Sequence, residues 1–132
     1  MATENSWSFE QTDIAERLAT VDDAALDGLQ FGIIGFDEQT IVKRYNTFES
    51  RLAGLDKSRV LGHPFFTSVA PCMNNFLVAQ RFEDALATGD SLDATLDYVL
   101  TLRMKPVKVK LRLLAQSSSA MRYVLILRPQ TG

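Results

Sequence analysis

The chain has 132 residues, of which 46% are hydrophobic and 23% are charged, and its net charge is −2. This length and balance are typical of one globular domain with its own hydrophobic core. The weak negative charge excludes the basic field that binds nucleic acid or anionic membranes, so we expect neither partner. No signal-peptide pattern or membrane-length apolar run is present, and a single cysteine cannot form an internal disulfide. We therefore expect a cytoplasmic protein.

The first 30 residues are expected to form an N-terminal helical cap. The segment "TDIAERLATVDDAALDGL" has apolar residues at helical spacing and should be helical with a break near "VDD". These apolar residues are Ile14, Leu18, Val21, Ala25 and Leu29. Trp7 and Phe9 precede the helix and should pin the segment onto an apolar surface. Its acidic residues could attract the basic segment "RMKPVKVKLRLL" further along the chain.

Residues 31–132 are expected to form the core of the same domain. Two β-rich runs, Phe31–Phe36 and Thr40–Tyr45, flank "DEQ" and predict a hairpin. A helix is expected over Thr47–Ala53. A second short helix is expected in "LDKSRVLG", with Asp56 as its N-cap and Gly62 as its end.

A longer helix is predicted from about Asn75 to Thr88, ended by Gly89. Its apolar face would comprise Phe76, Val78, Ala79, Phe82 and Leu86. Three strands follow, in "LDATLDYVLTLR", "VKVKLRLLAQ" and "MRYVLILRP". The second alternates apolar residues with Lys108, Lys110 and Arg112, which predicts one face in water. The fold class is therefore α+β, with a five-stranded antiparallel sheet and helices inserted between strands two and three.

Tyr45 and Glu49 are spaced i and i+4 at the start of a predicted helix, so both side chains should project from one face. A pair with this spacing is commonly a partly exposed surface contact. The alternative is a phenol and a carboxylic acid that together hold a charged group in a pocket. The residue pattern alone does not decide between these two interpretations.

Cys72 also has two interpretations, because a free cysteine is often a small buried apolar residue. It follows Pro71 and precedes the predicted long helix, whose N-terminal amides would favour the thiolate. A thiol enzyme is disfavoured because no base or orienting residue accompanies this cysteine. Metal binding is not expected, since one cysteine and one histidine lack the clustered spacing of a zinc site.

Four segments in order, "LDGLQFGIIGFD", "YNTFE", "VLGHPFFTSVAPC" and "MKPVKVKL", resemble the photoactive yellow protein family, a branch of the PAS-domain sensors. The resemblance extends from about Leu26 to Val124. It implies a PAS fold with an N-terminal helical cap and a cytoplasmic blue-light receptor without enzymatic turnover. The implied cofactor is p-coumaric acid (4-hydroxycinnamic acid), bound covalently as a thioester.

The resemblance also implies roles for individual residues. Cys72 matches the attachment site, and Tyr45 and Glu49 match the two groups that hydrogen-bond the phenolic oxygen. The remaining positions match the chromophore pocket: Ile34, Phe65, Val69, Ala70 and Met104. Three further pocket positions depart from the family pattern, with Ala53 for a threonine, Leu55 for an arginine and Leu100 for a phenylalanine.

A buried phenolate needs strong hydrogen bonds, which Tyr45 and a protonated Glu49 can donate. After trans-to-cis isomerisation, we expect Glu49 to give up its proton and become a buried charge. Relief of that charge would release the N-terminal cap as a signal to an unidentified downstream protein. We expect a monomer or weak dimer. The alternative function is a PAS module that senses a small molecule or dimerises, with Cys72 unmodified.

Overall fold

The computed structural model describes residues 7–101, 106–116 and 119–128. The α-helices of the described residues are α1 Ile14–Thr20, α2 Asp23–Asp27, α3 Thr47–Ala53, α4 Lys57–Val60 and α5 Ala79–Thr88. The strands are β1 Gly32–Phe36, β2 Val42–Tyr45, β3 Leu92–Leu100, β4 Val107–Ala115 and β5 Arg122–Leu127. The described strands form one antiparallel sheet in the order β2-β1-β5-β4-β3. The predicted α+β architecture, with helices between β2 and β3, is confirmed.

Most of the predicted element boundaries agree with the structure. The N-terminal helix does break at "VDD", because Val21 is extended and Asp22 caps α2 by accepting from the amide of Ala25. Helix α3 has the predicted bounds, and α5 ends at Gly89 in a left-handed conformation. Asp56 precedes α4 as expected, but its side chain makes no capping hydrogen bond.

The predicted start of the long helix is wrong. Helix α5 begins at Ala79, because the side chain of Asn75 accepts from the amides of Leu77 and Val78 and holds this segment in a turn. Phe76 is consequently 77% exposed and is not part of the apolar face. Leu86 of that predicted face is also exposed, whereas the other three members are buried: Val78, Ala79 and Phe82.

The sheet separates two hydrophobic clusters. One face packs against the segments between β2 and β3, with an aromatic group in which Phe36 stacks on Phe65 at a centroid distance of 5.2 Å. The other face packs against residues 7–30, which we call the N-terminal arm. Alternate residues therefore point to opposite clusters, as Ile33 and Ile34 do in β1.

The N-terminal arm covers part of the face of β4 that was predicted to lie in water. Lys108 and Lys110 are exposed, but Arg112 is only 6% exposed and Leu114 is fully covered. The guanidinium of Arg112 donates to the carbonyls of Phe9 and Gln11 at 2.9 and 2.8 Å. The prediction of a wet face is therefore wrong at Arg112, because the arm takes the place of solvent there.

Aromatic and ionic contacts hold the arm on the sheet. Phe9 is buried and packs edge-to-face on Phe31, as expected for an anchoring residue. Arg44 of β2 binds Asp23 at 2.9 Å and the carbonyl of Leu18 at 2.8 Å. The expected attraction to the basic segment gives no ion pair among the described residues, since Asp23 pairs with Arg44 and Asp27 with Lys57.

Candidate functional site

Tyr45 and Glu49 lie where β2 ends and α3 begins. Tyr45 is the last residue of β2 and lies opposite Ile34 in the β1–β2 register, and Glu49 is in the first turn of α3. The premise that both residues belong to one helix is therefore wrong, because Asn46 caps α3 after the strand. Both side chains are nevertheless buried, with residue exposures of 5% and 1%. The interpretation as an exposed surface contact is wrong.

The hydroxyl of Tyr45 is a buried polar group in an apolar setting. Among the described residues it has no hydrogen-bond partner. Burial raises the pKa of Tyr45 well above its usual value, and the nearby Glu49 raises it further, while Arg128 acts in the opposite direction. The phenol therefore stays protonated and can donate a hydrogen bond to an incoming acceptor.

Glu49 is held by Arg128, a residue that the sequence analysis did not single out. The guanidinium donates from Nη1 to Oε1 at 2.6 Å and from Nη2 to Oε2 at 3.0 Å. Burial raises the pKa of Glu49, and the hydrogen bonds and charge of Arg128 lower it in part. Two effects therefore oppose each other in setting the pKa of Glu49: desolvation raises it, and the cationic Arg128 lowers it.

The carboxylate lies directly against the backbone of β1. A Cβ atom added at Gly32 would come within 2.0 Å of Oε1 of Glu49. Two non-bonded atoms do not approach this closely, so any residue larger than glycine at this position would push the carboxylate away. Glycine leaves the space that the acid occupies. Gly32, the first glycine of "LQFGIIG", thus has a specific packing role beside the site.

Asn46 connects the site to the N-terminal arm. Its Oδ1 accepts from the amides of Ile33 and Glu49 at 3.0 and 3.2 Å. Its Nδ2 donates to the carbonyls of Leu26 and Phe31, each at 3.0 Å. Sequence reasoning missed this residue, although an asparagine three residues before a glutamate at a helix start is a capping signal.

Cys72 lies in a short 3₁₀ turn, Pro71–Met73, and is partly buried. Its carbonyl accepts hydrogen bonds from the hydroxyl of Tyr98 and from Nδ2 of Asn75, which fix the backbone beside the sulfur. The expected helix N-terminus is not adjacent in the chain, since α5 begins only at Ala79. The expectation that Cys72 directly precedes the start of the long helix is therefore wrong.

A cleft of 690 Å³ opens beside Cys72. Three of the predicted pocket residues line it: Ala53, Leu55 and Val69. Four others are buried in the hydrophobic cluster that contains Tyr45: Ile34, Phe65, Ala70 and Leu100. Met104 lies outside the described residues.

These residues suit a ligand with one acyl end and one anionic oxygen. The cleft gives access to the sulfur of Cys72, and its wall residue Val69 is in the same cluster as Tyr45. Tyr45 supplies a hydrogen-bond donor that has no partner among the described residues, at low dielectric, where a bond to an anion is strongest. The chemistry of this donor suits a bound group that carries an anionic oxygen.

The described ranges hold neither a cluster of metal ligands nor a membrane-spanning helix. Those ranges contain no group of three histidine, cysteine, aspartate or glutamate side chains that could hold a metal ion. No helix within them has the length and apolar character needed to cross a bilayer.

Sequence comparison finds relatives over most of the chain, although no protein-family model matches it. The photoactive yellow protein of Rhodothalassium salexigens is 38% identical over 105 residues, which are 80% of this chain and 83% of the relative. That of Halochromatium salexigens is 37% identical with the same coverage. That of Rhodobacter capsulatus is 30% identical over 120 residues, which are 91% of this chain and 95% of the relative.

Comparison of structures agrees with the sequence relationship. The photoactive yellow protein domain of the sensor histidine kinase Ppr from Rhodospirillum centenum has a TM-score of 0.78 at 34% identity, covering 86% of this chain and 98% of that domain. The PAS domain of an HTR-like protein from Haloarcula marismortui has a TM-score of 0.61 at 14% identity, covering 90% of this chain and 100% of that domain, which shows a shared fold alone. The chain belongs to the photoactive yellow protein family of photoreceptor PAS domains.

Proposed function

We propose that this protein is a cytoplasmic blue-light receptor that carries p-coumaric acid as a thioester on Cys72. The observation that carries the proposal is the hydroxyl of Tyr45, a buried donor with no partner among the described residues, beside the buried acid Glu49. A buried donor without a partner destabilises a fold by about 1–3 kcal/mol, so it is expected to serve a bound acceptor.

Attachment requires an activated p-coumaroyl donor, such as a thioester with a small thiol. The thiolate of Cys72 attacks the acyl carbon, the new carbon–sulfur bond forms, and the donor's thiolate leaves with the electron pair of the broken bond. The hydrogen bonds from Tyr98 and Asn75 to the Cys72 carbonyl hold the turn in place during this exchange. When bound, the group supplies blue-light absorption and trans-to-cis isomerisation.

In darkness, Tyr45 and a protonated Glu49 donate hydrogen bonds to the phenolic oxygen and keep it anionic. Both donors are removed from water, so these charge-assisted bonds are stronger than bonds between neutral groups. The raised pKa of Glu49 favours the protonated form that this arrangement needs. An adjacent phenolate would raise that pKa further by charge repulsion.

After illumination, Glu49 transfers its proton from the carboxyl oxygen to the phenolic oxygen. The acid then becomes a carboxylate in a site that is 1% exposed. A new charge in low dielectric is costly unless it is paired, so the contacts of Glu49, including those with Arg128, must rearrange at this step. The first turn of α3, which holds Glu49, is therefore the place where the structural change begins.

The N-terminal arm is the segment that we expect to be released from the sheet after Glu49 is ionised. Oδ1 of Asn46 accepts a hydrogen bond from the amide of Glu49, and Nδ2 of the same side chain donates to the carbonyls of Leu26 and Phe31. A shift at the start of α3 therefore weakens bonds that hold the end of the arm. Release of residues 1–30 would expose a sheet face to a downstream signalling protein.

The test is reconstitution of the purified chain with activated p-coumaric acid. Intact mass should increase by one coumaroyl group, the protein should become yellow, and blue light should bleach it reversibly. The Cys72→Ser variant should show none of these changes, and Glu49→Gln should stay coloured with a shifted absorption band. A wild-type chain that acquires no adduct would overturn the proposal.

A second candidate function is a PAS module that senses a small molecule or dimerises without a covalent chromophore. The observation that favours it is the pairing of both Glu49 oxygens with Arg128, which satisfies the acid without any ligand. Under this alternative, Cys72 stays unmodified after treatment with the activated acid. The reconstitution experiment therefore distinguishes the two functions.

A further inference from the structure

Arg128 immediately follows β5, and its guanidinium reaches the carboxylate of Glu49. The contact is bidentate, with distances of 2.6 and 3.0 Å between the nitrogen and oxygen atoms. The two side chains are 12% and 1% exposed. A planar guanidinium matches a carboxylate in this way, whereas a lysine ammonium would act as a point charge.

This ion pair differs from the other ion pairs of the described residues. In each of those, at least one side chain is 36% exposed or more, as in Lys57–Asp27 and Arg112–Asp93. Exposed pairs contribute little to stability, because water and salt screen their charges. Loss of one partner from a buried pair is far more costly, because the remaining charge is left in low dielectric. Arg128 therefore has a large influence on whether Glu49 is charged.

Arg128 also borders the outside of the site. It lines a cleft of 600 Å³ between the end of the N-terminal arm and α3. The arm contributes residues 27–30 to this cleft, and α3 contributes Thr47, Phe48, Arg51 and Leu52. The guanidinium thus lies between the buried acid and the open cleft beside the arm.

The charged and titratable groups around Glu49 come from three elements. Arg128 faces it from the end of β5, and Tyr45 faces it from β2. On its own helix, Arg51 lies on the exposed side, toward the cleft. Arg128 is the group whose charge and hydrogen bonds both favour the ionised acid.

We propose that Arg128 is a positioning residue that serves as the counter-ion of Glu49 whenever Glu49 is ionised. This role rests on the proposed function and extends it to the step after proton transfer. In the chromophore-free protein, and again after Glu49 has lost its proton, both guanidinium hydrogen bonds form. When Glu49 is protonated, its oxygens are weaker acceptors, so both hydrogen bonds are weakened and the charge attraction is lost.

Two consequences follow for the light cycle. Arg128 stabilises the ionised form of Glu49, so it prolongs the state in which the proton is absent and slows the return to darkness. Movement of the guanidinium between the acid and the cleft also reaches residues 27–30 of the arm. Ionisation of Glu49 is therefore linked to the arm by a second route, separate from Asn46.

The first test uses the chromophore-free protein and follows the Glu49 carboxyl carbon by NMR during a pH titration. Arg128→Gln should raise the titration midpoint of Glu49 by about one pH unit or more, which makes Glu49 an acid about tenfold weaker. Arg128→Lys should fold even if the glutamine variant does not, and should give a smaller rise. Arg51→Gln, on the same cleft, should leave the midpoint unchanged. Equal midpoints in wild type, Arg128→Lys and Arg128→Gln would overturn the inference.

The second test uses protein loaded with the coumaroyl group and measures recovery after a blue flash. Arg128→Gln should recover several-fold faster than wild type, and Arg51→Gln should recover at the wild-type rate. A shifted titration with unchanged recovery would overturn the role of Arg128 in the light cycle. Failure of the chain to take up the coumaroyl group would instead overturn the proposed function, because the NMR titration needs no chromophore.

Discussion

Asn46 accepts a hydrogen bond from the amide of Glu49 at 3.2 Å, and this bond joins the buried acid to a residue that also holds the N-terminal arm. Asn46 is 1% exposed and uses both its amide oxygen and its amide nitrogen in bonds to the backbone. This side chain forms hydrogen bonds with the carbonyls of Leu26 and Phe31 and with the amide of Ile33. The site and the arm therefore share one side chain.

Replacement of Asn46 should destabilise the fold and loosen the arm together. Asn46→Ala leaves buried backbone groups without partners, each at about 1–3 kcal/mol, so the free energy of unfolding should fall by about 2 kcal/mol or more. Urea unfolding measures this change. Asn74→Ala, at an exposed asparagine, is the control and should have little effect. Equal losses in the two variants would contradict the role of Asn46.

A methyl group at Gly32 should displace the carboxylate of Glu49. Gly32→Ala would bring its Cβ within 2.0 Å of Oε1, so the acid must move away and its pair with Arg128 must distort. Overpacking of this kind costs about 1–3 kcal/mol, measurable by thermal or urea unfolding. Gly28→Ala is the matched control, since its Cβ would meet only a carbonyl at 3.6 Å. A Gly32→Ala protein as stable as the control would contradict the packing described here.

Loss of Arg112 should release the arm in darkness. Arg112→Met removes charged hydrogen bonds to Phe9 and Gln11, and a bond to a charged group contributes about 1.5–3 kcal/mol. Amide exchange in α1 should therefore accelerate on the order of tenfold or more, as read by hydrogen-exchange mass spectrometry. Lys110→Met should not change it, because the pair of Lys110 with Asp97 is exposed. Identical exchange in the two variants would show that Arg112 does not hold the arm.

Tyr45→Phe should affect chromophore-free and loaded protein in opposite directions. Without a chromophore, the variant removes a buried hydroxyl that has no partner among the described residues, so stability should rise by about 1 kcal/mol. With the coumaroyl group bound, the same change removes a donor and should shift the absorption band. Tyr123→Phe provides the contrast, since its hydroxyl accepts from Arg44 at 3.0 Å and its loss should destabilise both forms. A lower stability of chromophore-free Tyr45→Phe would contradict the prediction.

The stability of the chromophore-free protein should depend on pH through Glu49. Burial raises the pKa of Glu49 above 4.5, so the folded state binds this proton more tightly than the unfolded state does. The stability from this proton is present below the unfolded pKa and is lost as pH rises through the folded pKa. Urea unfolding across this range should show a decline that Glu49→Gln lacks. Parallel pH profiles for the two proteins would refute the assignment.

Local sequence patterns predicted the elements that local interactions determine. The bounds of α3 and the end of α5 at Gly89 follow from capping and glycine chemistry, which involve only neighbouring residues. The start of α5 was wrong because the side chain of Asn75 competes for the amides of the first turn. Apolar spacing alone does not reveal that competition.

The candidate site was predicted less completely, because its electrostatics depend on residues distant in the chain. Resemblance to the family identified Tyr45, Glu49 and Cys72, but Arg128 is 79 residues from the acid that it binds. The pairing arises only when the end of β5 is placed beside α3 by the sheet order. The burial of Arg112 likewise depends on the arm covering β4, which the alternation of that strand does not indicate.

The N-terminal arm occupies the sheet face that a partner at that position would have to contact. A partner that recognises the face around Ile33, Leu114 and Leu125 must displace a segment tethered to that same face. Its apparent association constant is therefore the intrinsic constant multiplied by the fraction of molecules in which the arm is open. Under the proposed function, light would change the strength of association by altering this fraction, without creating a new recognition surface.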